Sequence, residues 1–458
     1  MFIEYDQQYH LIIMSRMKYV QLYVMCLLFV ACSYGDDIPG VNYRQFEQSQ
    51  TSDQCIRSKE DAIEIAQNAL ILLYDAPRSR NQDFRKIDYL SPIHVLTASS
   101  DGSIVSRNMT CDAAHNDTLM YVVNYADSMG FAIVSAIPYG PDLIAVTASG
   151  SYNPDEPIEN PGFNFFMEAA TDYLQVQSTS LITPPPFQRV PEYKEVKDTT
   201  WFANIDNRVR VYWGQTAPEG TWCDNGYAGC ANTAAAMMMS HFAFPKRLKL
   251  TFLENDLTID LDWEKLRKHH EMQSGATKYS EKCEPSTHTM LAYLCRELGH
   301  RSHSDYQKWP KRQTPTPWNN TINALRKLGY HVEDKQYCEG AFREELKSCD
   351  CVLLVSGTDT ASKDENAHMW VCDAVKSFHV HTKVYERPGG LYFSDTGWTY
   401  VMSYDEYSTF NFFNWGWGTG DSNYELCGYF LDEVFSVYQN GRLINNFNKD
   451  VRYLKITL

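Results

Sequence analysis

The 458-residue sequence predicts an α+β protein. Three stretches carry that expectation. Residues 226–245, GYAGCANTAAAMMMSHFAFP, read as a helix from about Ala231 to Phe244, entered through Gly229 and stopped by Pro245. Residues 366–374, NAHMWVCDA, follow the apolar run Val352–Val355 and the turn-like stretch Gly357–Asp364, so His368 opens a strand. The N-terminal portion joins a capped amphipathic helix to several short β-rich runs, a compact α+β unit of its own.

In chain order, residues 17–35, MKYVQLYVMCLLFVACSYG, carry a basic residue and then the apolar run Val20–Ala31, too short to span a bilayer comfortably. This reads as a secretion signal, with Met17 as the expected start. FVAC resembles a loose lipobox ending at Cys32, which would be lipidated after cleavage. An ordinary signal peptide cut near Ala31 or Gly35 is the other reading, and both stay open. A lipid anchor at Cys32 is the one membrane attachment expected. The formal charge of -16, with no basic stripe interleaved with aromatics, argues against nucleic-acid binding.

In the N-terminal unit, RSKEDAIEIAQNALILL over 57–73 spaces apolar residues as a helix does, with Ser58 placed to cap it. Ser103–Val105, Leu119–Asn124, Phe131–Ser135 and Leu143–Ala148 read as strands, and YVVNYADSMGFAIVSA reads as a hairpin. PGFNFFMEAATDYLQVQ is a second helix. No nucleophile–base pair is visible in this unit. Residues 179–200 then run TSLITPPPFQRVPEYKEVKDTT, where three consecutive prolines favour exposed, extended chain open to proteolysis. The expected organisation is a signal over 1–35, an N-terminal unit over 36–185 and a catalytic unit over 186–458.

The chemistry centres on Cys230. A thiol at a helix start meets the positive end of the helix dipole, which favours thiolate, the nucleophile of a cysteine hydrolase. A buried structural cysteine is the competing reading of this window alone. His368 adds a base ahead of an apolar strand, and NFFNWGWG over 411–418 adds an amide and indoles downstream. His241, near the end of the cysteine helix, reads as a positive group on the negative helix end. His269 and His270 fall in a charged, exposed-looking segment. His379 and His381 alternate along a strand and His300 lies three residues from His303, but no four-ligand spacing completes a zinc site. Neither a metal nor a cofactor is expected. The 13 cysteines include no CxxC pair, and their pairing is not readable.

The order Cys, then His, then Asn-Trp is that of papain-like peptidases. GCANTAAAMMMSHFAFP, AHMWVCDA and NWGWG together resemble the streptopain family of cysteine peptidases over roughly residues 200–458. GFAIVSA and ASGSYNP in the preceding segment are similar to the streptopain propeptide. The resemblance implies a papain-like fold, with the helix carrying Cys230 packed on an antiparallel sheet carrying His368. It implies Cys230 as nucleophile and His368 as general base. WGQTAP is similar to the family's Trp-x-Gln segment, which makes Gln215 the oxyanion donor beside the backbone N–H of Cys230. Asn414 and Trp415 support His368, and the motif leaves open which of them orients it. TGDSNYELCGYF departs from the family's shorter run, which leaves the loop bordering the cleft in doubt.

The expectation is a secreted cysteine endopeptidase made as a zymogen. It would act on protein or peptide substrates through a thioester acyl-enzyme, with its own propeptide as intramolecular inhibitor. The alternatives are a non-catalytic secreted binding protein on the same scaffold and a thiol-dependent amidase or acyl transferase, because a Cys–His pair specifies only thioester chemistry.

Overall fold

A computed structural model describes residues 56–74, 86–93, 96–98, 104–106, 118–137, 141–179, 192–255, 257–269, 285–307, 314–359, 367–387, 398–417, 426–439, 442–445 and 449–458. The signal segment, Cys32, the proline run of 179–200, His270 and most of the loop after Trp417 lie outside the described residues.

Helix α1 (Lys59–Tyr74) buries Ala62, Ile65, Ala66, Ala69, Leu70 and Leu73, one stripe at helical spacing. The Ser58 hydroxyl accepts the Asp61 N–H at 3.1 Å, the expected cap. Strands β1 (Ile87–Ile93), β2 (Leu96–Ala98), β3 (Ile104–Ser106), β4 (Met120–Tyr125), β5 (Phe131–Ser135) and β6 (Leu143–Thr147) follow. β4 and β5 form the expected hairpin, its turn using Asp127 and Ser128 at positive φ. Helix α2 (Pro161–Thr179) begins behind Asn160, whose side-chain oxygen accepts the N–H groups of Gly162 and Phe163 at 3.0 and 3.1 Å.

From Glu192 the chain is strand β7 (Glu192–Ile205). Then come α3 (Cys230–Phe242), β8 (Arg247–Leu250), β9 (Leu257–Asp260), α4 (Trp263–Lys268), α5 (Pro285–Arg301), α6 (Trp318–Lys327), β10 (His331–Gln336) and α7 (Ala341–Ser348). The chain closes with strands β11 (Val352–Asp359), β12 (Ala367–Arg387), β13 (Thr399–Asn414), β14 (Gly428–Leu431), β15 (Ser436–Gln439), β16 (Arg442–Asn445) and β17 (Lys449–Thr457).

An eleven-stranded sheet runs in the order β1-β4-β5-β6-β14-β13-β12-β11-β17-β10, with β7 alongside β12. Its β6–β14, β13–β14, β11–β12, β11–β17 and β10–β17 pairs are antiparallel. This is the mixed helix and antiparallel-sheet architecture expected of the sequence. The strands of the N-terminal unit thus join those of the C-terminal half through three residue pairs, Gly428–Thr147, Tyr429–Val146 and Phe430–Ala145.

Alternation along the central strands gives the sheet two buried faces. Val352 and Leu354 of β11, with Met369 and Val371 of β12, belong to the core that contains α3 and α5. Leu353, Val355, Trp370 and Cys372 belong to a second core, which also holds α1, α2 and β4–β6. Phe165 of α2 lies against Trp370 (6.0 Å between centroids), and Phe166 lies edge-on to Phe430 at 4.7 Å. The N-terminal unit therefore shares a hydrophobic core with the sheet that carries His368.

By contact density the chain divides into two compact units. The described residues of the smaller are 192–196, 383–387 and 398–403, where Tyr385 packs edge-on to Tyr400. The larger takes in the rest, including Cys230, His368 and the groups around them.

Candidate active site

Helix α3 starts at Cys230 itself. Gly229 precedes it with φ 92°, and a Cβ there would come within 3.0 Å of the Thr314 side chain, so glycine is required on both counts. The helix ends at Phe242, two residues before the expected stop, because Ala243 takes the left-handed conformation. Ala231 to Ser240 are all buried, which fixes the helix and the thiol at its head.

The helix end was expected to favour thiolate, but the balance runs the other way. Burial pushes the Cys230 thiol above its ordinary range, while the backbone N–H groups of Met369, Ala231 and Cys230 pull it down by less. Met369 is the residue after His368, so the thiol meets the backbone of β12.

The His368 ring faces elsewhere. As the side chain two before Trp370, it shares that residue's face, stacking on its ring at 6.3 Å and 17°. Its Nε2 lies 2.9 Å from the Trp415 carbonyl oxygen. A carbonyl only accepts, so Nε2 carries the proton and Nδ1 is left as acceptor. The residue is 3% exposed, and burial lowers its pKa to about 4, with the bond to Trp415 working in the opposite direction.

The wall against this ring is Gly162, in the first turn of α2. A Cβ on Gly162 would fall 2.4 Å from Trp415 Cε3 and 2.7 Å from His368 Cδ2. The N-terminal unit thus touches His368 and Trp415 through a position where only glycine fits. Nothing in the stretch PGFNFF marks this contact beyond a glycine inside a helix.

The other expected site residues gather nearby in different roles. The Asn414 side chain donates to the Val211 carbonyl at 2.8 Å and accepts the Gly416 N–H at 3.3 Å. The amide is committed to those neighbours, and the oxygen that holds His368 is the backbone carbonyl of Trp415. The Trp415 indole is fully buried, donates to Leu426 O at 2.9 Å and packs against Trp370 and Phe430, each at 5.1 Å. Gln215 sits beside the nucleophile's turn, where its carbonyl accepts the Ala228 N–H at 2.7 Å. Next to it, Glu219 accepts the Gly214 N–H at 3.1 Å. Glu219 is buried, and burial lifts its pKa to about 7.

Three further residues have structural roles. Asp373 accepts the N–H groups of Arg208 and Val209 at 2.7 and 2.5 Å, tying the approach segment to β12. His241, at the end of α3, meets Asp350 at 3.0 Å, an acidic partner in addition to the helix end. His269, expected in an exposed segment, is buried, and its carbonyl accepts the Trp213 indole N–H at 3.0 Å.

Residues 208–424 match the model of the Peptidase C10 family. Over that segment the chain is similar to the cysteine peptidases of the streptopain family. The match takes in Cys230, His368, Gln215, Asn414 and Trp415. Among solved structures, a fragment of prointerpain A from Prevotella intermedia with a cysteine-to-alanine substitution is 18% identical, with a TM-score of 0.45, covering 74% of this chain and 96% of that one. Active interpain A from the same organism is 16% identical, with a TM-score of 0.34, covering 55% of this chain and 95% of that one. No curated protein sequence matches the chain.

Proposed function

We propose that the chain is a cysteine endopeptidase exported as a zymogen, with residues 36–185 as its inhibitor. The observation that carries this reading is the His368 ring. It lies against Gly162 of the N-terminal unit, on the sheet face away from the α3 core, while the Cys230 thiol meets the backbone of β12. On this reading the N-terminal unit holds the base in an orientation that is unproductive toward the nucleophile. A displacement of an ångström or two is costly to catalysis.

Once released, His368 turns so that Nδ1 takes the proton of the Cys230 thiol. The sulfur attacks the scissile carbonyl carbon, and the C–N bond breaks as the imidazolium gives its proton to the leaving amine. Water then hydrolyses the thioester. The backbone N–H of Cys230 and the Gln215 amide hold the oxyanion, and Asn414 and Trp415 support His368 in its turned position. Substrates are proteins or peptides. The segment 17–35 exports the chain, and lipidation of Cys32 would leave it at the cell surface. Detergent-phase partitioning that is lost in Cys32→Ser would show that anchor, and unchanged partitioning would refute it.

Mass spectrometry after treatment with an epoxide thiol-protease inhibitor tests the site and the latency together. Uncut protein should label slowly, and protein cut within 179–200 should label rapidly, at Cys230 alone. Cys230→Ala should be inactive on casein and should accumulate uncut. Labelling at another cysteine would overturn the nucleophile. Full activity in uncut protein made resistant by a replaced linker would overturn the zymogen reading.

A further inference from the structure

Strand β12 continues past His368 to His379 and His381, eleven and thirteen residues on, about 35 Å of extended strand. Residues two apart on a strand share a face, and β13 brings Asp405 to the same place. One oxygen of Asp405 lies 2.7 Å from His379 Nε2 and 2.7 Å from His381 Nδ1. The three ligand atoms all fall within 4.8 Å of one another. The pair His379 and His381 is visible in the sequence, but the third group comes from another strand.

His379 is held in orientation without help from an ion. Its ring stacks on Tyr407 at 4.5 Å and 15°, and on Phe202 at 6.3 Å and 14°. Nε2 is thereby aimed at Asp405. His379 and His381 are partly exposed and the Asp405 side chain is 47% exposed, so an ion and its waters can enter.

We propose that His379, His381 and Asp405 form a binding site for a divalent transition-metal ion of the zinc class. Two imidazole nitrogens and one carboxylate oxygen suit zinc, nickel or copper, whereas magnesium and calcium favour oxygen donors throughout. With metal–ligand bonds of about 2.0–2.1 Å at tetrahedral angles, nitrogen and oxygen would stand about 3.3 Å apart. The two nitrogen–oxygen spacings of 2.7 Å need to open by only about 0.6 Å to reach that value. The protons now directed at Asp405 move to the other ring nitrogens, His379 Nδ1 and His381 Nε2, so that both rings bind as neutral imidazoles. Three protein ligands leave a fourth position for water. The ion cross-links β12 to β13, and this site does not rest on the peptidase reading.

The test uses chelator-treated full-length protein carrying Cys230→Ala, so that neither the nucleophile nor autolysis intervenes. Zinc is titrated by calorimetry and cobalt by absorption, in this parent and with Asp405→Asn or His381→Gln added. The parent should take one zinc equivalent that raises its Tm, and cobalt should show no thiolate charge-transfer band. Each added substitution should weaken that equivalent at least about tenfold and abolish the Tm rise, with unchanged circular dichroism confirming the fold. Asp405→Asn keeps the side-chain shape at an exposed position, so a folding failure is not its expected effect. The proposal is overturned if the parent binds no zinc, if both substitutions leave affinity and stoichiometry unchanged, or if the first cobalt equivalent shows thiolate ligation.

Discussion

Gly162→Ala should switch on the uncut protein. The added methyl would stand 2.4 Å from Trp415 Cε3 and 2.7 Å from His368 Cδ2, both inside any tolerable carbon–carbon contact. Trp415 cannot give way. It is fully buried, and its ring is wedged between Trp370, Phe413 and Phe430 at centroid distances of 5.1–5.3 Å. The strain must fall on His368 or on the seating of α2. Overpacking of this kind costs about 1–3 kcal/mol, and replacing glycine in a helix returns up to about 1 kcal/mol. A net cost of about 1–2 kcal/mol to the closed form shifts the closed–open equilibrium about 5- to 30-fold. The assay is turnover of a fluorogenic peptide by full-length protein with an uncuttable linker, against the isolated 195–458 fragment. That fragment lacks residue 162 and sets the fully released rate. Uncut Gly162→Ala as silent as its uncut parent would refute the reasoning, since the contact would then be incidental to latency.

Two further outcomes follow from the buried titratable groups. In uncut Cys230→Ala protein, the His368 imidazole should titrate by NMR near pH 4 and move up toward about 6.5 after cutting and release. Because its folded pKa is lowered, its contribution to the closed form is complete above about 6.5 and is lost as pH falls toward 4; a midpoint near 6.5 in the uncut form would contradict the burial argument. Glu219 has the opposite sign. With its pKa raised from 4.5 to about 7, the fold favours its protonated form, and stability falls by up to about 1.4 kcal/mol per pH unit as pH rises from about 4.5 to about 7, then levels off. Glu219→Gln should therefore gain Tm over the parent progressively between about pH 4.5 and pH 7 and hold that gain above, and a constant difference from about pH 4.5 to 7 would count against it.

What could be read from the chain follows how local each signal is. Helix α3 was legible because Gly229, Cys230 and the Ala/Met run encode turn, thiol and helix within one stretch. β12 was legible as an apolar, β-branched run behind a turn. Strands β3–β6 of the N-terminal unit were found within a residue at each end, whereas β1 and β2 were not read from the sequence. Long-range pairings were not legible. The His368–Gly162 contact joins positions far apart in the chain, and nothing local distinguishes Gly162 from a helix-weakening glycine. The support of His368 was sought in side chains, whereas the acceptor is a main-chain carbonyl, a group every residue carries. The cysteine's environment was argued from the helix dipole alone. Burial outweighs that dipole, and burial depends on what packs above the helix. His269 was misplaced because charged neighbours in sequence say little about a residue's own depth.

The continuity of the sheet from β6 into β14 separates two events that a zymogen scheme tends to merge. Severing a linker frees a chain end, but it leaves the Thr147, Val146 and Ala145 backbone paired with Gly428, Tyr429 and Phe430, and leaves Phe166 seated on Phe430. On the proposed reading, the cut N-terminal unit is still a ligand, held by a strand seam and a shared apolar core, and it must unzip before the cleft is free. Its departure uncovers β14 as a raw sheet edge, whose main-chain groups can accept any extended segment of suitable register. The active form would then carry a docking edge that the precursor lacks. Its working lifetime would depend on whether substrate, a second copy or the departed unit reaches that edge first.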